Sequence, residues 1–542
     1  MANLPKPDEI ANVNYSMPEK TWSEIKATFE PGSYCYGEKA GPVGVLGLPN
    51  AREWDPADSD WKLDPEWKST LSKAFKTRLE RFRSLKVFMD ICVRCGACAD
   101  KCHFYIGTGD PKNMPVLRAE LMRSVYRNQN ILGGKLSGKF FNKITGSREM
   151  SEDVLKEWYK YYYQCTECRR CSVFCPYGID TAEITMQARE MMHEVGVGIN
   201  WVVGPASNSF MTGNHLGLKP HAIVNSIESL VEDIKSITGI SINPTFNRKG
   251  AEILFITPSA DYFAEPGIYT MMGYLLLFEH IGLDYTLSTY ASEGGNFGLF
   301  TSHEVMKQLN SKMYAEARRL NVKWLLGGEC GHMWRVVHQY MNTMTGPAEF
   351  LEIPVSPVTG TKFTHAEGTR FVHIAEFAAD LIAHGKLKID KSRNDHRKIT
   401  FHDSCNISRG MGMFEEPRYI LKNVANHFYE MPEETIREKT FCCGSGSGLN
   451  TNEFMETRLK GGFARASAIQ YVQEKHGVNL LTAICAIDRA AFPSLLNYWT
   501  PGVDTSGLME LLGNALVMDG EKNRKVDLRD NPLLETGKND VQ

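Results

Sequence analysis

Hydrophobic positions change their period along the chain. Between residues 81 and 200 they recur at helical spacing: Leu117, Leu121 and Val125 stand four apart, and Ile184, Ala188, Met191 and Val195 mark one face of a further helix. Asp180 followed by Glu183 reads as the start of that helix. From about residue 250 the texture shifts to short runs of β-formers: Ile253–Ile256, Trp324–Leu326, Ile399–Phe401 and Leu480–Ile484. Amphipathic stretches, Phe371 to Ala383 and Phe463 to Val472, lie between them. Strands alternating with helices predict an α/β unit with a largely parallel sheet. The predicted fold class is thus α+β overall, with a helical unit over 81–200 followed by an α/β unit over 250–515. Residues 1–80 carry scattered Pro, Gly and Trp (Trp22, Trp54, Trp61, Trp67) without a period, which predicts an irregular arm. Residues 519–542 hold 11 charged side chains and little apolar material, which predicts a solvated tail.

Composition narrows the class. At 542 residues with 42% apolar and 23% charged side chains, the chain suits a multi-domain globular protein. The formal net charge of −3 leaves no strong basic field for nucleic acid or for an anionic membrane surface. Met1 to Asp8 lacks the features of a secretory signal, and the longest apolar run, Met271 to Phe278, is far short of a bilayer span. The expectation is a cytoplasmic protein, where thiols stay reduced.

In that compartment the 14 cysteines point to metal or redox chemistry rather than to disulfides. Two blocks share one spacing: Cys92-x-x-Cys95-x-x-Cys98-x-x-x-Cys102, and Cys165-x-x-Cys168-x-x-Cys171-x-x-x-Cys175 followed by Pro176. Three cysteines at i, i+3 and i+6 wrap three corners of a [4Fe–4S] cubane, and the fourth serves the other cluster. Cys92, Cys95, Cys98 and Cys175 are therefore expected to hold one cluster, and Cys165, Cys168, Cys171 and Cys102 the other. Zinc sites usually use two separated Cys-x-x-Cys knuckles instead. His103 stands where the second block has Pro176. Cys35 is isolated and is read as an inert thiol.

A third constellation comprises Cys405 in His402-Asp403-Ser404-Cys405, the pair Cys442-Cys443 in a glycine-rich stretch, and Cys485. Adjacent cysteines hardly close a relaxed disulfide, but they can offer two thiolates to one multi-iron centre. The following Gly444-Ser445-Gly446-Ser447-Gly448 lacks the spacing of a dinucleotide loop. Cys330, Cys405 and Cys485 each fall at the end of a predicted strand, where ligands of parallel sheets collect.

The His-Asp-x-Cys-x-x-x-Arg element, Glu416-Pro417-Arg418 and the Cys-Cys-Gly element together resemble the cysteine-rich (CCG) domain of heterodisulfide reductases. Behind a two-cluster ferredoxin unit, the chain resembles the D-type iron–sulfur component of those enzymes over roughly 80–515, in its DsrK-like branch. The resemblance implies a third, catalytic [4Fe–4S] centre held by Cys405, Cys442, Cys443 and Cys485, which reduces a disulfide or trisulfide. It implies a membrane haem b subunit like DsrM and other Dsr complex subunits as partners, with attachment to the cytoplasmic side of the inner membrane. It names the small sulfur carrier DsrC as substrate. Two departures stand out. Asp488 occupies the place of a further thiolate three residues after Cys485, and the first half of the pseudo-repeat keeps only Cys330, in Gly328-Glu329-Cys330-Gly331-His332. Only one special centre is therefore expected. Cys330 is a fifth ligand, a substrate-facing thiol or a relic; His332 is a proton donor or a core histidine. Two other functions fit the same modules: the iron–sulfur subunit of a flavin-dependent glycerol-3-phosphate or glycolate dehydrogenase, and a non-catalytic wiring subunit.

Overall fold

The computed structural model describes residues 63–130, 144–292, 295–450, 454–521 and 527–530. In the first unit, helices Trp67–Arg81, Arg83–Asp90, Pro115–Asn130, Glu152–Tyr163 and Thr181–Glu194 share one core. Phe75, Leu85, Met122, Val125, Leu155, Trp158, Ile184 and Met191 fill it. Ser151 and Asp180 cap two of these helices by accepting the N–H groups of Val154 and Ala182. Leu117 departs from the expected stripe. A strict four-residue step drifts around a 3.6-residue helix, and Leu117 is left 38% exposed. The arm predicted over 1–80 is also corrected at its end. Trp67–Arg81 is helical and buries Trp67, Leu71 and Phe75 against the unit. Trp22, Cys35, Trp54 and Trp61 lie outside the described residues.

Among the described residues the second unit contains seven strands, in two sheets rather than one. Strands β1 (Ile253–Ile256), β2 (Tyr285–Leu287), β3 (Trp324–Gly327) and β4 (Phe371–His373) form a parallel sheet in the order β2-β1-β3-β4. Strands β5 (Ile399–His402), β6 (Leu480–Ala483) and β7 (Asp504–Ser506) form a second parallel sheet in that order. Both sheets are covered on their two faces, which is why the longer strands read as unbroken apolar runs. One apolar core runs through both, from Leu254 and Leu326 to Phe401 and Leu512. The run Met271–Phe278 is the middle of helix Gly267–Ile281, buried in that core. Among the described residues no helix is long and apolar enough to cross a membrane. The solvated tail also needs correction: Leu528 is fully buried, and Arg529 pairs with Glu510 at 2.5 Å.

The two sheets are joined by a buried charge network. Arg489, on the helix after β6, reaches Asp261 after β1 at 2.5 Å and Glu329 after β3 at 2.8 Å. Glu329 also accepts the backbone N–H groups of Leu508 and Met509, and its own N–H donates to the Tyr274 hydroxyl. Burial pushes the Glu329 carboxyl up to about 7 against the opposing pull of Arg489. Removing the cation leaves two buried carboxylates without their partner. Arg489→Met is expected to destabilise the protein by about 3–5 kcal/mol. A carboxyl raised on folding stabilises below its unfolded pKa and loses that contribution as pH rises through its folded value. The Arg489→Met deficit should therefore widen between pH 6.5 and 8. Anaerobic denaturant midpoints at the two pH values measure this, and equal deficits would contradict it.

Candidate functional site

The two cysteine blocks follow the same local backbone path. Arg94 and Gly96 in the first loop, and Glu167 and Arg169 at matching positions in the second, all have left-handed φ between 54° and 78°. These turns let three thiols of each loop face one cavity. The first cavity is lined by Cys92, Cys95, Cys98 and Cys175, and Cys171 also borders it. The second is lined by Cys102, Cys165, Cys168 and Cys171. Each fourth cysteine thus sits with the other block's three. Burial pushes Cys98 up to about 11, with Cys175 and Cys92 adding to it. Burial likewise pushes Cys171 up to about 12, reinforced by Cys165 and Cys102. Cys102 goes the other way: burial raises it, but Arg118 and His103 together bring it below the ordinary thiol range.

The third constellation gathers at the ends of β5 and β6. Cys442 is its hub. The neighbouring thiols of Cys168, Cys405 and Cys443 hold its sulfur well below the usual thiol value. Thr166 Oγ1 lies 3.2 Å from it, and the Gly444 N–H donates to it at 3.4 Å. Gly444 has φ 86°, and a Cβ there would come within 2.6 Å of Arg458 O, so only glycine fits this turn. Cys485 stands across the site, 3.9 Å from His332 Nδ1, and burial with Asp488 pushes it up to about 12. Asp488 interacts with Cys443, bonds Ser404 and lies 3.4 Å from His402 Nε2; burial raises it to about 6. Cys330 is buried, and its sulfur accepts the Met333 N–H at 3.5 Å, capping helix Gly331–Val336. The structure therefore brings Cys405, Cys442 and Cys443 together with Cys168, a second-block residue that the spacing alone ties to the ferredoxin unit.

That junction is held by side chains from both units. Arg409 donates to the carbonyls of Cys168 and Thr440, and to Glu438 O at 2.7 Å. Arg335 reaches Glu167 O at 3.3 Å, and Ser447 Oγ donates to Thr166 O at 3.0 Å. His103, visible in sequence only as a departure from proline, bridges Gly461 O at 2.7 Å and Thr166 Oγ1 at 2.9 Å. Sequence reasoning missed this role because both partners are remote in the chain.

Buried arginines around the thiols test whether iron–sulfur clusters fit. Arg118 bonds Asn113 at 2.7 Å and Cys102 Sγ at 3.8 Å. Arg170 bonds the carbonyls of Lys439 and Lys101 and lies 3.9 Å over the Phe441 ring. Arg465 bonds Thr435 O and Thr440 Oγ1, both at 2.6 Å. Neither these three nor the half-buried Arg409 forms an ion pair with a carboxylate among the described residues. Buried cations need anions. Thiolate-ligated iron–sulfur clusters are anionic and occupy the same neighbourhood.

This fold and these sites define an iron–sulfur electron-transfer protein with a fused cysteine-rich domain. The family model for a 4Fe-4S dicluster domain matches residues 88–179, and that for a cysteine-rich domain matches 399–486. The chain is 52% identical to the Hdr-like menaquinol oxidoreductase iron–sulfur subunit of Archaeoglobus profundus, over 89% of this chain and 90% of that one. It is 53% identical to iron–sulfur subunit 2 of the same kind in Archaeoglobus fulgidus, over 88% of each. The D-type component of the dihydromethanophenazine:CoB–CoM heterodisulfide reductase of Methanosarcina barkeri is 24% identical, over 67% of this chain and 79% of that one. The chain belongs to the family of Hdr-like oxidoreductase iron–sulfur subunits, and [4Fe–4S] clusters are its cofactors. Arg118→Met removes a cation next to Cys102 and should make the second-block centre harder to reduce. A potentiometric titration followed by electron paramagnetic resonance (EPR) checks this; an unchanged midpoint would contradict it.

Proposed function

We propose that this subunit passes electrons from a membrane haem b partner resembling DsrM to the Cys405–Cys442–Cys443–Cys485 site, where a disulfide or trisulfide is reduced. One observation carries the proposal: the second ferredoxin block packs directly on the third constellation, with Thr166 Oγ1 3.2 Å from the sulfur of Cys442 and Arg409 bonding the Cys168 carbonyl. When bound, the clusters supply one-electron carriers, held by Cys92, Cys95, Cys98 and Cys175, by Cys102, Cys165, Cys168 and Cys171, and by the third set.

The chain's own residues would do the rest. The first cavity opens to solvent at Cys95, where electrons can enter. Arg409 fixes Cys168 against Cys442. Cys442, Cys443 and Cys485 are buried, so a substrate sulfur would react away from bulk water. Cleaving a disulfide takes two electrons and two protons and gives two thiols; a trisulfide takes four electrons and four protons and gives two thiols and one sulfide. The names of the relatives support both ends of this path, a quinol on one side and a heterodisulfide on the other. The proposed substrate is the trisulfide of DsrC, and the protein would sit peripherally on the inner membrane through its partner.

The test is thiol release from the DsrC trisulfide by reduced protein, compared with Cys443→Ala. Release should be lost in the variant, and equal release would remove the proposed site. Iron should amount to about twelve per chain for three four-iron centres, against about eight if only the two ferredoxin-type centres form.

A further inference from the structure

His332 comes from the half of the cysteine-rich unit that has kept only Cys330. It lies in the first turn of helix Gly331–Val336, which Cys330 caps with its own sulfur. That cap sets the helix so that its first turn faces the cysteines of the other sheet. Gly331 packs so closely that a Cβ there would lie 3.3 Å from Cys485 Sγ. One turn on, Arg335 bonds Glu167 O and, at 3.4 Å, Asn406 Oδ1, the neighbour of Cys405. This helix face is therefore turned wholly to the third site.

The imidazole of His332 is 4% exposed and is braced edge-on by the Phe300 ring at 5.4 Å. Its Nδ1 lies 3.9 Å from Cys485 Sγ. Its Nε2 is buried and has no hydrogen-bond partner among the described residues. In front of Nε2 lies Gly446 of the Cys-Cys-Gly stretch, whose missing Cβ would stand 3.4 Å from that nitrogen. His103, at the same junction, spends both ring nitrogens on protein partners. His338, His373 and His402 also leave one nitrogen unpartnered; the first two rings pack on Trp334, and His402 packs on Phe492 and turns its other nitrogen to Asp488. His332 sets one nitrogen against Cys485 and the unmatched one against the Cys-Cys-Gly stretch. A buried ring nitrogen normally has a partner, and the described residues supply none here.

We infer that His332 is a positioning residue for the third centre, donating Nε2–H to a sulfur of the group held by Cys405, Cys442, Cys443 and Cys485. The inference rests on the proposed third centre. Hydrogen bonds to cluster sulfur are one of the protein's means of setting reduction potential. A donor placed here favours the reduced, more negative form. The half that no longer supplies a set of thiolates would thus still tune the half that does.

The experiment uses full-length protein purified anaerobically, with and without 15N-histidine, as wild type, His332→Phe, His332→Gln and the control His373→Phe. Pulsed EPR on the third centre should show a weak histidine nitrogen coupling in wild type and in the control. The coupling should vanish in both His332 variants. The midpoint potential of the third centre should fall in His332→Phe, recover in part in His332→Gln, whose amide can still donate, and stay put in the control. A wild-type coupling and potential retained in His332→Phe would overturn the inference. Should His332→Phe fail to fold, His332→Gln decides: the inference is overturned if its histidine coupling persists. Wild-type protein with about eight irons and no third signal would instead defeat the functional proposal.

Discussion

Four guanidinium groups without carboxylates decide how this protein is put together. Arg118, Arg170, Arg409 and Arg465 are tied to carbonyls, an amide, a hydroxyl and a thiol, close to the cysteines of the second and third sites. Placing Arg118, Arg170 and Arg465 in the interior is costly unless a counter-charge comes with them. Anionic clusters supply it, so cofactor binding and folding of the junction are linked. Arg170 and Arg409 donate to backbone of both units, which makes the joint between ferredoxin unit and cysteine-rich unit part of the site itself. Cys168 is held by Arg409 from across that joint.

The cysteine-rich unit repeats one device twice and uses it unequally. In each half a parallel strand ends in a cysteine-bearing turn that leads into a helix: Cys330 after β3, Cys485 after β6. The second half adds Cys405 after β5 and the Cys442–Cys443 loop, and so collects the thiols. The first half contributes Gly331, His332 and Arg335, all turned to the same place, and Glu329, which anchors Arg489. Asp488 occupies ground among the thiols beside Cys443 and Ser404. With a single cysteine, the first half still packs against the site.

Much of this was legible in the chain. The repeated cysteine spacing revealed the two cavities, because three residues per step matches the turn of the loop. Strands β1, β3, β5 and β6 announced themselves as apolar runs, since parallel strands are buried on both faces. The three-residue strands β2, β4 and β7 did not; β4 is hidden at the head of the stretch Phe371–Ala383, whose helix begins only at Ile374. Two sheets instead of one is a matter of long-range pairing, which no local pattern encodes. Helix Trp67–Arg81 escaped because tertiary burial of Trp67, Leu71 and Phe75 orders a segment of weak local signal. Most importantly, Cys168 looked like a ferredoxin residue only. Its proximity to Cys442 bridges more than 270 residues of chain and appears only when both units are folded together.

The central claim is spatial: three iron centres in a row, with the second-block centre in the middle and the third buried against it. Anomalous diffraction at the iron absorption edge from anaerobic crystals tests this directly. The account requires three iron peaks, at the cavity of Cys92, Cys95, Cys98 and Cys175, at that of Cys102, Cys165, Cys168 and Cys171, and at Cys405, Cys442, Cys443 and Cys485. Two peaks, or a third one remote from Cys442, would contradict it.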